Sequence, residues 1–168
     1  MSCVEQITKA GAQAVKLEGA LGNIDFIKHC VDSGVPVMGH LGLTPQSIHQ
    51  LGGFKVQGRD EKAKKLIFEH ALQLQDAGCF SLVLECVPSD LAKQITQELN
   101  IPTIGIGAGV DCDGQVLVLQ DMLGMNQGFS PKFLRKYFNG AEELKKAFNQ
   151  YHHDVVNGQF PNQKESYS

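Results

Sequence analysis

Short apolar runs alternate along the chain with longer stretches in which apolar positions recur every three or four residues. That alternation is the mark of β-α units rather than of an all-β fold or a helical bundle. Five runs read as strands: residues 14–18 (AVKLE), 35–39 (VPVMG), 81–85 (SLVLE), 102–106 (PTIGI) and 116–119 (VLVL). Four or five nearly continuous apolar residues bounded by Gly or Pro suit strands covered on both faces. The expected fold class is therefore α/β, with a parallel sheet.

The stretches between them have recognisable helix ends. Residues 23–32 place Ile24, Ile27 and Val31 on one face and stop at Ser33-Gly34, a C-cap pattern. Residues 60–77 open on acids, which suit a helix N-terminus, and stop at Gly78, with a stripe of Leu66, Ile67, His70, Leu74 and Ala77. Residues 89–99 follow the same grammar, and residues 141–156 form a last helix whose apolar face is Leu144, Phe148, Tyr151 and Val155. The expected organisation is one catalytic domain over 1–157 and a polar, loose tail over 158–168.

Two loops are longer and richer in Gly than a connector requires. Residues 40–59 (HLGLTPQSIHQLGGFKVQGR) contain a short helix over 45–50, because Thr44 suits the N-cap and Pro45 the first helical position. Residues 105–114 (GIGAGVDCDG) follow a strand directly. Long loops after parallel strands are where α/β enzymes carry their chemistry.

Composition narrows the partners. A 168-residue chain with 42% hydrophobic and 20% charged residues is long enough for one domain with a real core. A formal net charge of −3 leaves no electrostatic footprint for nucleic acid or an anionic membrane. No apolar run approaches the roughly 20 residues of a membrane helix, and the N-terminal MSCVEQITKAGAQ lacks a secretory apolar region. Five cysteines with no C-x-x-C pair read as reduced thiols. The expectation is a cytoplasmic protein with small-molecule substrates.

Parallel strands bring their C-terminal residues to one rim. There stand Lys16 and Glu18, two apart and so on one side of a strand, His40 after Gly39, and Glu85 after Leu82-Val83-Leu84. A charged pair within an apolar strand either forms a salt bridge or binds something. Glu85 is either a general base in an apolar mouth or an acid favouring the helix that begins near Ser89. On the residues alone both readings stand. His29, His49 and His70 fall within helical patterns and His152 and His153 late in the last helix, so only His40 joins the rim. Gly105, Gly107 and Gly109 lack the helix and acid of a dinucleotide fingerprint, and suggest close backbone approach to a ligand instead.

Six segments in order, VKLEG (15–19), VMGHLGLTPQS (37–47), GGFKVQGR (52–59), LVLECVP (82–88), IPTIGIGAG (101–109) and DGQVLVLQDMLG (113–124), with VVNGQFP (155–161) near the end, closely resemble the ketopantoate hydroxymethyltransferase family. The resemblance implies a parallel (βα)8 barrel, here a partial barrel of about five strands. It implies transfer of a hydroxymethyl group from 5,10-methylenetetrahydrofolate to 3-methyl-2-oxobutanoate, in pantothenate and coenzyme A biosynthesis, with Mg2+ as cofactor and a homo-oligomeric assembly. By motif, Glu85 matches the proton acceptor, Lys16 the substrate-binding lysine, Glu18 the glutamate beside the metal, and His40 a histidine that orients substrate.

The same resemblance implies three earlier strands, with metal-ligating aspartates in D-S-L and D-L-P-F type motifs that this sequence does not contain. Its strands would then be the fourth to eighth. The chain alone is expected to be inactive and aggregation-prone, or to act beside a separate N-terminal half. Two other readings compete: another Mg2+-dependent barrel enzyme acting on 2-oxo acids, such as the phosphoenolpyruvate mutase and isocitrate lyase group, and a non-catalytic five-strand α/β binding module. The motifs argue against the first, and the long 40–59 loop and the in-strand charged pair against the second.

Overall fold

The computed structural model describes residues 2–47, 53 and 55–167. Five strands, β1 (Val15–Glu18), β2 (Val37–Gly42), β3 (Ser81–Glu85), β4 (Thr103–Ile106) and β5 (Gly114–Gln115), form one sheet in sequence order, every neighbouring pair parallel. Helix α1 (Ser2–Lys9) precedes β1, and α2 (Ile24–Asp32), α3 (Glu61–Asp76) and α4 (Ser89–Glu98) make the first three connections, while a loop without a helix joins β4 to β5. The α/β class and the parallel sheet are as the apolar runs predict. Within the described residues the sheet is open, with β1 and β5 as its outer strands.

The expected fifth strand is displaced. Residues 116–119 do not extend the sheet: β5 ends at Gln115, and Leu119–Met122 is a short helix, α5. An apolar run of four cannot by itself distinguish strand from helix, and here Val116 and Val118 are exposed. The helix expected over 45–50 is a single 3-10 turn at Pro45–Ser47, and the rest of it, His49 included, lies outside the described residues.

Two compact units divide the chain, Met1–Val116 and Leu117–Ser168. In the first, Ile27, Leu74, Leu82, Leu84, Leu91 and Ile95 are fully buried, so one face of the sheet and the inner faces of α2, α3 and α4 share one core, while the other face carries Lys16, Glu18, His40 and Glu85. Each such side chain contributes about 1.5–3 kcal/mol of transfer free energy. The stripe on α3 is Ile67, Ala71 and Leu74, while Leu66 faces solvent. Asp60 caps α3 by accepting a hydrogen bond from the Ala63 amide at 2.9 Å. Asp60→Ala is expected to lower unfolding free energy by about 1 kcal/mol, which urea denaturation would read as a shifted midpoint at unchanged slope.

The second unit contains α5 and α6 (Gly140–Val156). The stripe Leu144, Phe148, Tyr151 and Val155 is present on α6 but stays exposed. The 158–168 stretch carries more local order than a loose tail: the Phe160 ring meets Tyr151 edge-on at 5.5 Å, and Asn162 and Glu165 close a capping box around Gln163–Glu165. No helix among the described residues is long and apolar enough to cross a membrane.

Candidate active site

The ladder register decides which polar strand ends meet. Glu18 stands opposite His40 across β1 and β2, and Gly42 opposite Glu85 across β2 and β3. All four residues singled out on the sequence, Lys16, Glu18, His40 and Glu85, therefore gather at the C-terminal rim of three adjacent strands.

His40 is the centre of the group and is only 1% exposed. Its Nδ1 lies 2.9 Å from Lys16 Nζ, and Lys16 Nζ donates onward to Glu18 Oε1 at 3.3 Å. An ammonium has hydrogens only to give, so Nδ1 accepts and the ring hydrogen sits on Nε2. Nε2 lies 3.2 Å from Glu85 Oε2. The separation suits a hydrogen bond, yet the pair is misaligned, and among the described residues Nε2 has no hydrogen-bond partner. A buried donor left unpaired is costly. This one is placed to serve either the Glu85 carboxylate or a ligand oxygen beside it.

Lys16 and Glu18 do form a pair within the strand, so the salt-bridge reading is partly right. The pair is not sealed in, because the Lys16 side chain is 44% exposed. Lys16 can therefore face an anionic ligand while it holds His40. Glu18 is more deeply set. Its second oxygen, Oε2, accepts from the Gln46 amide at 3.0 Å, an amide that the start of the 3-10 turn leaves without an internal partner. Asn23 Nδ2 donates to the Glu18 carbonyl at 3.0 Å, which fixes the strand end.

Gln46 and Asn23 were not visible as site residues in the sequence. A backbone amide and a side chain on the following helix carry no motif, although the Thr44-Pro45 helix start hinted at a free amide. Gly42 was equally silent, despite lying in GHLG. Its φ is +93°, and a Cβ there would sit 2.1 Å from the Glu85 carbonyl oxygen. Only glycine lets β2 pass the backbone of Glu85 so closely.

In the glycine loop after β4, one close approach is internal to the chain. A Cβ on Gly109 would come 2.5 Å from that of Ser89, and Gln115 Nε2 donates to the Gly109 carbonyl at 2.8 Å. The close approach is made by the chain's own α4 start. Of the other histidines, His29, His152 and His153 are exposed and His70 is half-buried.

A divalent metal finds little purchase here. Among the described residues no three His, Cys, Asp or Glu side chains group to hold an ion. Glu18 is one carboxylate, with its oxygens already engaged by Lys16 and Gln46. Mg2+ asks for near-octahedral oxygen donors, and these residues do not supply such a set.

The family model for ketopantoate hydroxymethyltransferase matches residues 1–163. A 3-methyl-2-oxobutanoate hydroxymethyltransferase of Bdellovibrio bacteriovorus is 73% identical over 168 residues, covering 100% of this chain and 64% of that protein. Proteins of the same name from Francisella tularensis and Coxiella burnetii are each 56% identical, covering 99% and 96% of this chain and 63% and 61% of their own lengths. The chain thus spans somewhat less than two thirds of the curated relatives it matches.

Proposed function

The chain belongs to the ketopantoate hydroxymethyltransferase family, and from that premise we propose that its rim of polar strand ends is the part of a hydroxymethyltransferase site that binds 3-methyl-2-oxobutanoate and removes its C3 proton. The carbanion so formed takes up the one-carbon unit of 5,10-methylenetetrahydrofolate: the new C–C bond forms, both C–N bonds of the methylene bridge break, water supplies the hydroxyl oxygen of the ketopantoate product, and tetrahydrofolate leaves. The observation that carries the proposal is His40, buried between two carboxylate-bearing strand ends, with its Nε2 3.2 Å from Glu85 Oε2 and without a hydrogen-bond partner among the described residues.

Each side chain has a task that its surroundings support. Glu85 ends an apolar strand and is partly open at the rim, so its carboxylate can reach a substrate C–H and accept the proton. Lys16 presents a half-exposed ammonium to the substrate carboxylate. His40 offers Nε2–H to a substrate oxygen or to Glu85, holding one in register with the other. Glu18 fixes Lys16 on one side and the Gln46 turn on the other.

Mg2+, expected from the family likeness as the Lewis acid that stabilises an enolate oxygen, would find Glu18 as its donor in this chain. The remaining oxygens would come from substrate, water or groups other than those gathered at this rim. A cytoplasmic location and a homo-oligomeric assembly belong to the same proposal, supported by the family likeness alone.

Substrate binding tests the lysine directly. Lys16→Met is expected to weaken binding of 3-methyl-2-oxobutanoate by roughly 10- to 100-fold, the size of one charge-assisted hydrogen bond. Isothermal titration of both forms reads the effect. Equal affinities would remove Lys16 from the substrate site.

A further inference from the structure

Directly after Glu85 the chain makes a turn that the reaction scheme does not use. Cys86 has φ +49° and is the single non-glycine residue with positive φ among the described residues. A left-handed backbone costs an L side chain roughly tenfold or more in population, and such strain persists only where the surroundings enforce it.

The surroundings are specific. The Cys86 amide donates to the Ile106 carbonyl at 2.8 Å, which extends the β3–β4 ladder by one rung. One residue earlier, the Glu85 carbonyl accepts from the Leu43 amide at 2.8 Å, toward β2. The left-handed turn then swings the Cys86 carbonyl out of the sheet, where it accepts from the Gln57 amide at 2.9 Å. Gln57 lies near the far end of the stretch that joins β2 to α3. The next residue, Gly58, is packed so closely that a Cβ would meet Ile67 and Leu91 at 3.0 Å. One strained residue thus joins the strand end of Glu85 to the end of that loop.

The thiol itself has no part in this. Burial and the neighbouring Glu85 charge push it above the ordinary cysteine range, which disfavours the thiolate that nucleophilic chemistry needs.

We propose that Cys86 is a positioning residue, whose left-handed backbone rather than its sulfur ties the end of the 40–59 loop to the strand end that presents Glu85. The functional part of this rests on Glu85 being the base, whereas the backbone part does not. Gly and Asn adopt the left-handed region readily, Ala less so, and β-branched Val least. Four variants, Cys86→Gly, Cys86→Asn, Cys86→Ala and Cys86→Val, therefore separate conformation from chemistry.

Hydrogen exchange at the Gln57 amide is the readout that a general packing role would not move in this order. Protection within about twofold of the native value is expected in Cys86→Gly and Cys86→Asn, and a loss of roughly tenfold or more in Cys86→Val. Thermal melts are expected to place Cys86→Gly above Cys86→Ala, the reverse of the usual order for these residues. That comparison decides the matter if Cys86→Val does not fold. Where C3 proton exchange on 3-methyl-2-oxobutanoate is measurable, Cys86→Ala is expected to lower kcat with KM within about twofold, and Cys86→Asn to restore it. Equal Gln57 protection in all variants, or loss in Gly and Asn with retention in Ala, would overturn the proposal. Absence of C3 exchange in the native protein would instead count against Glu85 as base and leave the Gln57 result to judge Cys86.

Discussion

Glu85→Gln is expected to lower C3 proton exchange of 3-methyl-2-oxobutanoate by roughly 10²- to 10⁴-fold, the range general-base catalysis contributes. The amide keeps the size and planarity of the side chain and removes its capacity to take a proton. Folding should hardly notice. The carboxylate is partly exposed and its approach to His40 Nε2 is misaligned, so the change in unfolding free energy should stay within about 1 kcal/mol. Loss of exchange at preserved stability is the signature of a base. Loss of exchange together with stability would assign Glu85 a structural role, and unchanged exchange would take it out of the mechanism.

Gly42→Ala should have the largest effect on stability of any single methyl added at the rim. At φ +93° an L residue is strained, and the new Cβ would lie 2.1 Å from the Glu85 carbonyl oxygen and 2.7 Å from Val87 Cγ1. The carbonyl cannot retreat cheaply, because it accepts from the Leu43 amide. Backbone strain of about 1–2 kcal/mol and overpacking of about 1–3 kcal/mol together predict a loss of about 2–5 kcal/mol in chemical denaturation. A loss under about 1 kcal/mol would mean that the strand ends move freely against each other, and with them the relation of His40 to Glu85.

The sheet was legible in the sequence because each of its first four strands is a short, mostly apolar run, and parallel strands need no finer signal. The rim was legible for the same reason: Glu18, His40 and Glu85 each follow such a run. The fifth strand was not, since VLVL reads alike as a buried strand and as the start of a short helix. Nor could the sequence show that His40 would be the most deeply buried of the four. That depends on register, with Glu18 opposite His40 and Glu85 two rungs further on. The supporting contacts were silent because they are made by backbone: the Gln46 amide on Glu18, the Cys86 carbonyl on Gln57, and the missing side chain of Gly42. The exposed stripe of α6 shows the converse, an amphipathic pattern without a covered face.

On the proposed reading, this rim is the proton-abstracting part of a hydroxymethyltransferase site. Deuterium incorporation at C3 of 3-methyl-2-oxobutanoate in D2O, followed by proton NMR, tests it most directly. The chain should be assayed alone and together with the part of the Bdellovibrio relative that it does not match. Incorporation well above the protein-free rate in at least one of these samples, abolished by Glu85→Gln, is the predicted result. Incorporation at the protein-free rate in both, with folding confirmed by circular dichroism and association of the two pieces by sedimentation, would contradict it.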